Sequence, residues 1–320
     1  MPFGKITTTE GETTKPIVTN DNLTEMKKSR ILLITATIVL LVIMVIVFPQ
    51  ESPREFDGAR ALEKVNWQVA QGARIPGSQA HERVLQWIES DLRKSRWEVE
   101  IQHDNSNPQL PIKNIIARRD AGRPWIILGA HYDTRPVADR DPNPQNRLQP
   151  VPGANDGASG VAILLELGRV LPRKMDKSIW LVFFDAEDGG GLPGGEWILG
   201  STYFASQLES YPDAVVIVDM VGDSDLNLYY ERNSSLELSQ SIWNQAAALG
   251  YNQFIPAPKY SILDDHTPFL ERGIPAVDII DFDYPYWHTL EDTPDKVSAE
   301  SLEAVGKTLQ YWLLAYAGQK

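Results

Sequence analysis

The chain has 320 residues, 42% of them hydrophobic and 9% aromatic, enough to bury one sizeable core, so a wholly disordered chain is excluded and one globular domain with appendages is predicted. A formal net charge of -13 leaves no basic footprint for a phosphate backbone, so neither nucleic acid nor nucleotide is expected as a partner. The chain has no cysteine, which removes disulfides, thiolate ligands and a cysteine nucleophile; any metal must rest on imidazoles and carboxylates.

Residues 1–30 are rich in threonine and charge and read as a disordered leader. Residues 31–48 (ILLITATIVLLVIMVIVF) carry no charge and are just long enough for a bilayer-spanning helix. The stretch is apolar on every face, which speaks against a core helix. The long polar leader and the lack of a small-x-small site before Pro49 speak against a cleaved signal peptide. Lys27, Lys28 and Arg30 precede it, and the positive-inside tendency then leaves the leader cytoplasmic and everything after the span extracytoplasmic. The expectation is a single-pass membrane protein: leader 1–30, signal anchor 31–48, linker 49–57 and a catalytic domain over 58–320.

Within the domain, apolar residues at helical spacing predict helices over 58–70 and 79–93, and later over 158–170, 200–207, 236–248 and 298–317. Strands are predicted at 97–102, 114–118, 125–130, 179–184, 214–219 and 276–280, several of them apolar throughout. Apolar strands alternating with helices imply a three-layer α/β sandwich with a mostly parallel central mixed sheet flanked by helices, preceded by the transmembrane helix. The Pro-rich loop over 135–152 is too long for a plain connector and has the length of loops that line a site.

The acids and imidazoles fall at telling places. His131 and Asp133 follow the third strand, Asp156 opens a helix, Asp185, Glu187 and Asp188 (DAED) follow the fourth, and Asp219 ends the fifth. In open α/β sheets, that carboxyl edge is where ligands bind. With His288 added, like charges would crowd together unless a divalent cation resolved their repulsion. Carboxylates and imidazoles without sulfur suit zinc, with manganese and cobalt as rivals. A serine triad is excluded because no G-x-S-x-G elbow follows a strand. His81 and His103 lie apart from these acids and read as surface residues.

The segments HYDTR, GANDGASG, FFDAED, VDMVG, DDHTPFLERGIP and YWHT, with RIPGS and NIIA ahead of them, resemble the superfamily of zinc aminopeptidases and glutaminyl-peptide cyclotransferases over roughly residues 56–318. The resemblance implies His131, Asp156, Asp188, Asp219 and His288 as zinc ligands, Glu187 as the general base or proton shuttle, and Asp133 orienting His131. One departure stands out: the fourth-strand ligand is usually Glu, and Asp188 is one methylene shorter.

Both branches share the ligands, so the pocket has to separate them. A two-zinc aminopeptidase would use Glu187 to deprotonate water. A one-zinc glutaminyl cyclase would use it to carry a proton from the α-amine to departing ammonia. The DDH motif, Asp264 to His266, favours the cyclase, whose relatives use an Asp there in a proton network with the counterparts of Glu187 and Asp219; Asp265 is assigned that part. Trp197, Trp287 and His266 would frame the substrate pocket. RIPGS also favours the cyclase, whereas GANDGASG reads like the aminopeptidase form. In either case the substrates would be peptide or protein N-termini. A catalytically dead binding ectodomain would need a lost ligand or base, and none is lost.

Overall fold

The three apolar strands Trp125–His131, Ser178–Phe184 and Ala214–Asp219 (β3, β4 and β5) are buried along nearly their whole length, which only a position inside a sheet covered on both faces permits. In the computed structural model, which describes residues 4, 25, 28–35 and 54–316, they form the middle of a six-stranded sheet. Its other members are Glu98–Asp104 (β1), Ile112–Arg119 (β2) and, after the short pair Leu228–Tyr230 and Phe254–Pro258 (β6 and β7), Ala276–Ile280 (β8). The order is β1-β2-β4-β3-β5-β8. β1, β2 and β4 pair antiparallel, while β4, β3, β5 and β8 are parallel.

Side chains alternate between the two faces. Ile126, Leu128 and Ala130 join the larger core, which is covered by Gly58–Val69 (α1), Gln79–Lys94 (α2), Ala158–Val170 (α3), Leu236–Leu249 (α5) and Ala299–Ala315 (α7). Ile127, Val182, Val215 and Ile217 join a smaller core under Leu199–Ser206 (α4) and Thr267–Glu271 (α6). The mixed sheet with helices on both faces agrees with the sequence reading. β6 and β7 were not anticipated, because three and five residues give too short an alternation to read.

α3 sits hard on the sheet because it carries glycine at the contact: a Cβ at Gly160 would lie 2.3 Å from the Val218 carbonyl oxygen. That close seat brings the turn before α3 to the carboxyl ends of β3 and β5. His131 pairs in register with Phe184, so the turns leaving β3 and β4 emerge side by side.

The chain divides into two units, residues 1–52 and 53–320. Of the expected anchor 31–48, residues 31–35 are helical and the rest lies outside the described residues. Among the described residues, no helix is long and apolar enough to cross a membrane.

Candidate metal centre

The last residues of β3 and β5, the turn after β4, the turn before α3 and the loop after β8 bring five side chains together. His131 Nε2 lies 3.1 Å from Asp156 Oδ1 and 3.1 Å from Asp219 Oδ1. His288 Nε2 lies 3.2 Å from Asp188 Oδ1 and 3.7 Å from Asp156 Oδ2. Two groups of potential ligands result, His131–Asp156–Asp219 and Asp156–Asp188–His288, with donor atoms in each within 4.8 Å of one another. Asp156 belongs to both and turns one oxygen toward each.

The electrostatics fit a cation. Burial, joined by Asp156, pushes the Asp188 carboxyl up to about 6, and burial pushes Asp219 up to about 7 against the pull of His131. Burial works against charge on His131, but Asp219, Asp133 and Asp156 outweigh it and raise the imidazole well above its ordinary range. Burial likewise pushes Asp156 up, and His131, His288 and Arg74 outweigh that and hold it below the usual carboxylate range. The buried oxygens Asp156 Oδ2 and Asp188 Oδ2 have no hydrogen-bond partner. Carboxylates and imidazoles so crowded, without sulfur, match the donor set of zinc.

Four of the five candidate ligands, His131, His288, Asp188 and Asp156, are held from behind. Asp133 Oδ1 lies 3.5 Å from His131 Nδ1, and its two oxygens accept the backbone N–H groups of Glu187 at 3.1 Å and Asp188 at 3.2 Å. Asp139 stands 3.5 Å behind His288 Nδ1. Arg135 is bound to Asp139 at 2.6 Å and donates to Asp188 Oδ1 at 3.0 Å, while its guanidinium lies over the Trp197 ring. Asp292 accepts the N–H groups of Asn155 at 2.8 Å and Asp156 at 3.2 Å, and the Tyr284 hydroxyl at 2.7 Å. Arg74, from RIPGS, is fully buried and donates to the carbonyls of Tyr132, Pro152, Gly153 and Asp156. Three of the turns pass through left-handed backbone at non-glycine residues: Ala186 (φ 52°), Met220 (φ 46°) and His288 (φ 59°).

Glu187 lines a cavity of about 240 Å³ with Asp156, Asp219, Asp264 and His288, walled by Trp197, Met220, Ile262, Leu263, Phe282 and Trp287. Burial, with Asp188, Asp264 and Asp265, pushes its carboxyl well above the ordinary range, against the pull of His131. Of the DDH motif, Asp264 forms part of the cavity wall. Asp265 is buried, and burial with Asp264 raises its carboxyl well above the ordinary range. His266 is fully buried and lies away from the cavity lining, its Nε2 3.2 Å from Glu231.

Sequence reasoning missed Arg135, Asp139 and Asp292, although Arg135 and Asp139 stand four apart in the long loop and Asp292 follows His288 by four. The reading of His81 as a surface residue is corrected: it is buried, stacks on Tyr132 and bonds Asp185 at 2.7 Å. Its position on the inner face of α2 turns it toward the sheet. His103 is exposed, as read. Gly157, not Asp156, holds the N-cap position of α3, which leaves the Asp156 carboxylate free for the site.

Comparison with known proteins places the chain among relatives. The model of peptidase family M28 matches residues 114–313. The chain is 27% identical over 293 residues to a glutaminyl-peptide cyclotransferase of Boiga irregularis, covering 76% of this chain and 77% of the relative. Among solved structures it is similar to a glutaminyl cyclase of Porphyromonas gingivalis, at 34% identity and a TM-score of 0.75 over 81% of this chain and 99% of that one. A Zn-dependent exopeptidase from Parabacteroides distasonis matches at 30% identity and a TM-score of 0.78, over 83% of this chain and 100% of that one. The chain belongs to peptidase family M28, in its glutaminyl-cyclase-like branch.

Proposed function

We propose that the protein is a zinc-dependent glutaminyl-peptide cyclotransferase, converting the N-terminal glutamine of peptides to pyroglutamate with release of ammonia. The observation that carries the reading is the meeting of Glu187 and Asp264 in one apolar-walled cavity beside the ligand groups. The likeness to glutaminyl cyclases supports it.

Asp156, Asp188 and His288 would hold the zinc, which when bound supplies Lewis-acid polarisation of the γ-carboxamide. The aromatic walls, Trp197, Trp287 and Phe282, take the glutamine side chain and exclude water. The α-amine attacks the γ-carbonyl carbon, a C–N bond forms and the bond to the amide nitrogen breaks. Glu187 takes a proton from the α-amine and returns it to the leaving nitrogen, which departs as ammonia. Burial and the neighbouring acids raise its pKa, which makes its carboxylate a better proton acceptor than an exposed one. Asp219 and Asp264 are acids that share this protonic environment.

A second reading has its own observation. Asp156 belongs to both groups of potential ligands, so these residues could hold two ions, as would suit a two-zinc aminopeptidase in which Glu187 would deprotonate water. The uncharged stretch over 31–48, with Lys27, Lys28 and Arg30 before it, supports a single-pass anchor and an extracytoplasmic domain.

The test is an ammonia-release assay on the purified full chain with a Gln-initiated peptide, beside hydrolysis of a Leu-initiated amide. Ammonia without Leu release supports the cyclase; Leu release without ammonia overturns it. Near one zinc per chain accords with the cyclase, near two with the aminopeptidase.

A further inference from the structure

The amino edge of the sheet, opposite the metal centre, gathers positive charge that the reaction above does not use, in a chain whose formal net charge is -13. Arg119 ends β2, residues 172–175 follow α3 and Lys177 precedes β4; the antiparallel pairing of β2 with β4, Arg119 opposite Ile179, sets the first beside the last. Arg119, Arg173, Lys174 and Lys177 wall a cavity of about 270 Å³, with Asp120 the acid among its lining residues. Lys94 and Arg96 extend the patch: they flank Ser95, whose carbonyl accepts from Arg119 Nη2 at 2.8 Å.

Two of these cations serve the fold. Arg119 lies over the Trp97 ring and donates to the Leu171 carbonyl at 2.9 Å, and Lys177 Nζ donates to the Leu313 carbonyl at 3.0 Å. The nearby acids are also engaged: Asp120 accepts from Trp180 Nε1 at 2.7 Å, and Asp176 lies 3.7 Å from Lys177 Nζ. Lys94, Arg96, Arg173 and Lys174 are different. They are exposed, and among the described residues their side chains make no hydrogen bond or ion pair. The chain enters the domain beside them. Gln310 Nε2 donates to the Arg54 carbonyl at 2.8 Å and Gln310 Oε1 accepts the Phe56 N–H at 2.9 Å, which ties the entry to the same end of α7 that Lys177 holds. Arg169, in the last turn of α3, donates to the Glu55 carbonyl at 3.3 Å. Residues 49–54 separate the expected anchor from Glu55, at most about 25 Å of chain, against a width on the order of 45 Å for a domain of this size. A tether that short keeps the face around Glu55 toward the bilayer.

We propose that this edge, through Lys94, Arg96, Arg173 and Lys174, docks on the headgroups of anionic phospholipids in the bilayer that holds the anchor, leaving the metal centre turned away toward soluble peptides. The proposal rests on the anchor reading and is independent of whether the enzyme cyclises or cuts. Four unpaired cations within reach of one surface are a fit for lipid phosphate, while the acidic remainder of the domain is repelled by it.

The test uses the full chain reconstituted in phosphatidylcholine vesicles with or without phosphatidylglycerol. Because the chain has no cysteine, one fluorophore can be set at Ser95→Cys, within the patch, and in a separate sample at Leu148→Cys, 87% exposed in the loop after β3. With phosphatidylglycerol present, a nitroxide on the lipid headgroups should quench the label at 95 strongly and the label at 148 little. Omitting phosphatidylglycerol or raising the salt should release the label at 95. Arg173→Gln with Lys174→Gln, at positions that hold nothing in the fold, should lower the ratio of docked to free domain about 30-fold, from about fivefold for each cation lost. Quenching at 95 that ignores phosphatidylglycerol, salt and the double substitution, or that equals quenching at 148, overturns the proposal. So does release of the label by inorganic phosphate at matched ionic strength, which would make the cavity a site for a small free anion. Alkaline carbonate extraction of the same vesicles tests the anchor separately. If carbonate releases the chain, the anchor reading falls, and salt-reversible binding to the phosphatidylglycerol vesicles still decides whether the patch docks.

Discussion

Arg135 Nη1 lies 3.0 Å from Asp188 Oδ1, the same oxygen that faces His288 across the metal centre. Where relatives are expected to carry the longer Glu, this chain has an Asp whose free charge is met by a buried guanidinium anchored in turn on Asp139 and the Gly190 carbonyl. Arg135→Met would leave Asp188 with only the His288 imidazole beside it, in a site where the Arg135 and Asp188 side chains are almost fully buried. Removing one member of such a pair costs on the order of 3 kcal/mol. Zinc bound as proposed would neutralise the same carboxylate, so the deficit should show in metal-free protein and shrink when zinc is added. Denaturant melts of wild type and variant, with and without zinc, check this; an equal loss in both states would refute it.

The acids of the centre also set a pH dependence. Asp188 and Asp219 are raised, to about 6 and about 7, so between the unfolded carboxylate range and pH 7 the folded chain binds more protons than the unfolded one. Stability of the metal-free protein must therefore fall as pH rises through that window. The raised His131 acts in the same direction, since its contribution is present at low pH and lost as pH climbs. The Tm of metal-free protein should be higher at pH 5 than at pH 8, and zinc, which needs the carboxylates deprotonated, should flatten or invert the difference. Calorimetry at the two pH values with and without chelator decides it.

Glu187→Gln keeps the shape of the side chain and its backbone bond to Asp133 while removing the proton carrier. Turnover should fall about 100- to 10,000-fold with zinc content unchanged. Retained activity would show that another group moves the proton.

The two acids of the DDH motif should separate on substitution. Asp264 forms part of the cavity wall and Asp265 does not line it. Asp264→Asn is expected to lower kcat about 100-fold and Asp265→Asn by about tenfold or less, the difference between a group at the reacting atoms and one behind them. Steady-state kinetics on a Gln-initiated peptide measure both; the reverse order would return the part to Asp265.

The centre was legible in the sequence because strand ends are legible: a run such as WIILGAH marks its own edge, and an acid just past it can point only to the carboxyl side of the sheet. What holds the ligands was not. Asp139 and Asp292 sit in loops whose path is set by contacts far along the chain, as when the Leu290 N–H donates to Asp141 at 3.0 Å, and no period in the sequence encodes that meeting. His81 shows the same limit. Its helical periodicity was readable, but that it faces a buried Asp185 depends on how α2 is seated on β1 and β2. β6 and β7 escaped notice because short strands carry little alternation, yet Glu231, which faces the buried His266, directly follows β6.

The left-handed residues at 186, 220 and 288 have a consequence for how this protein would respond to selection. Each holds a side chain in a conformation that costs about 1 to 3 kcal/mol relative to a relaxed turn. Breeding for heat tolerance would meet glycine early at 186 and 220, where it relieves the strain at once, but a glycine hinge also lets Glu187 and Asp219 swing. At 288 no such exchange exists, because the strained residue is itself the imidazole. Lineages chosen for durability and lineages chosen for turnover should therefore part at these two turns first, one accumulating glycines there and the other refusing them.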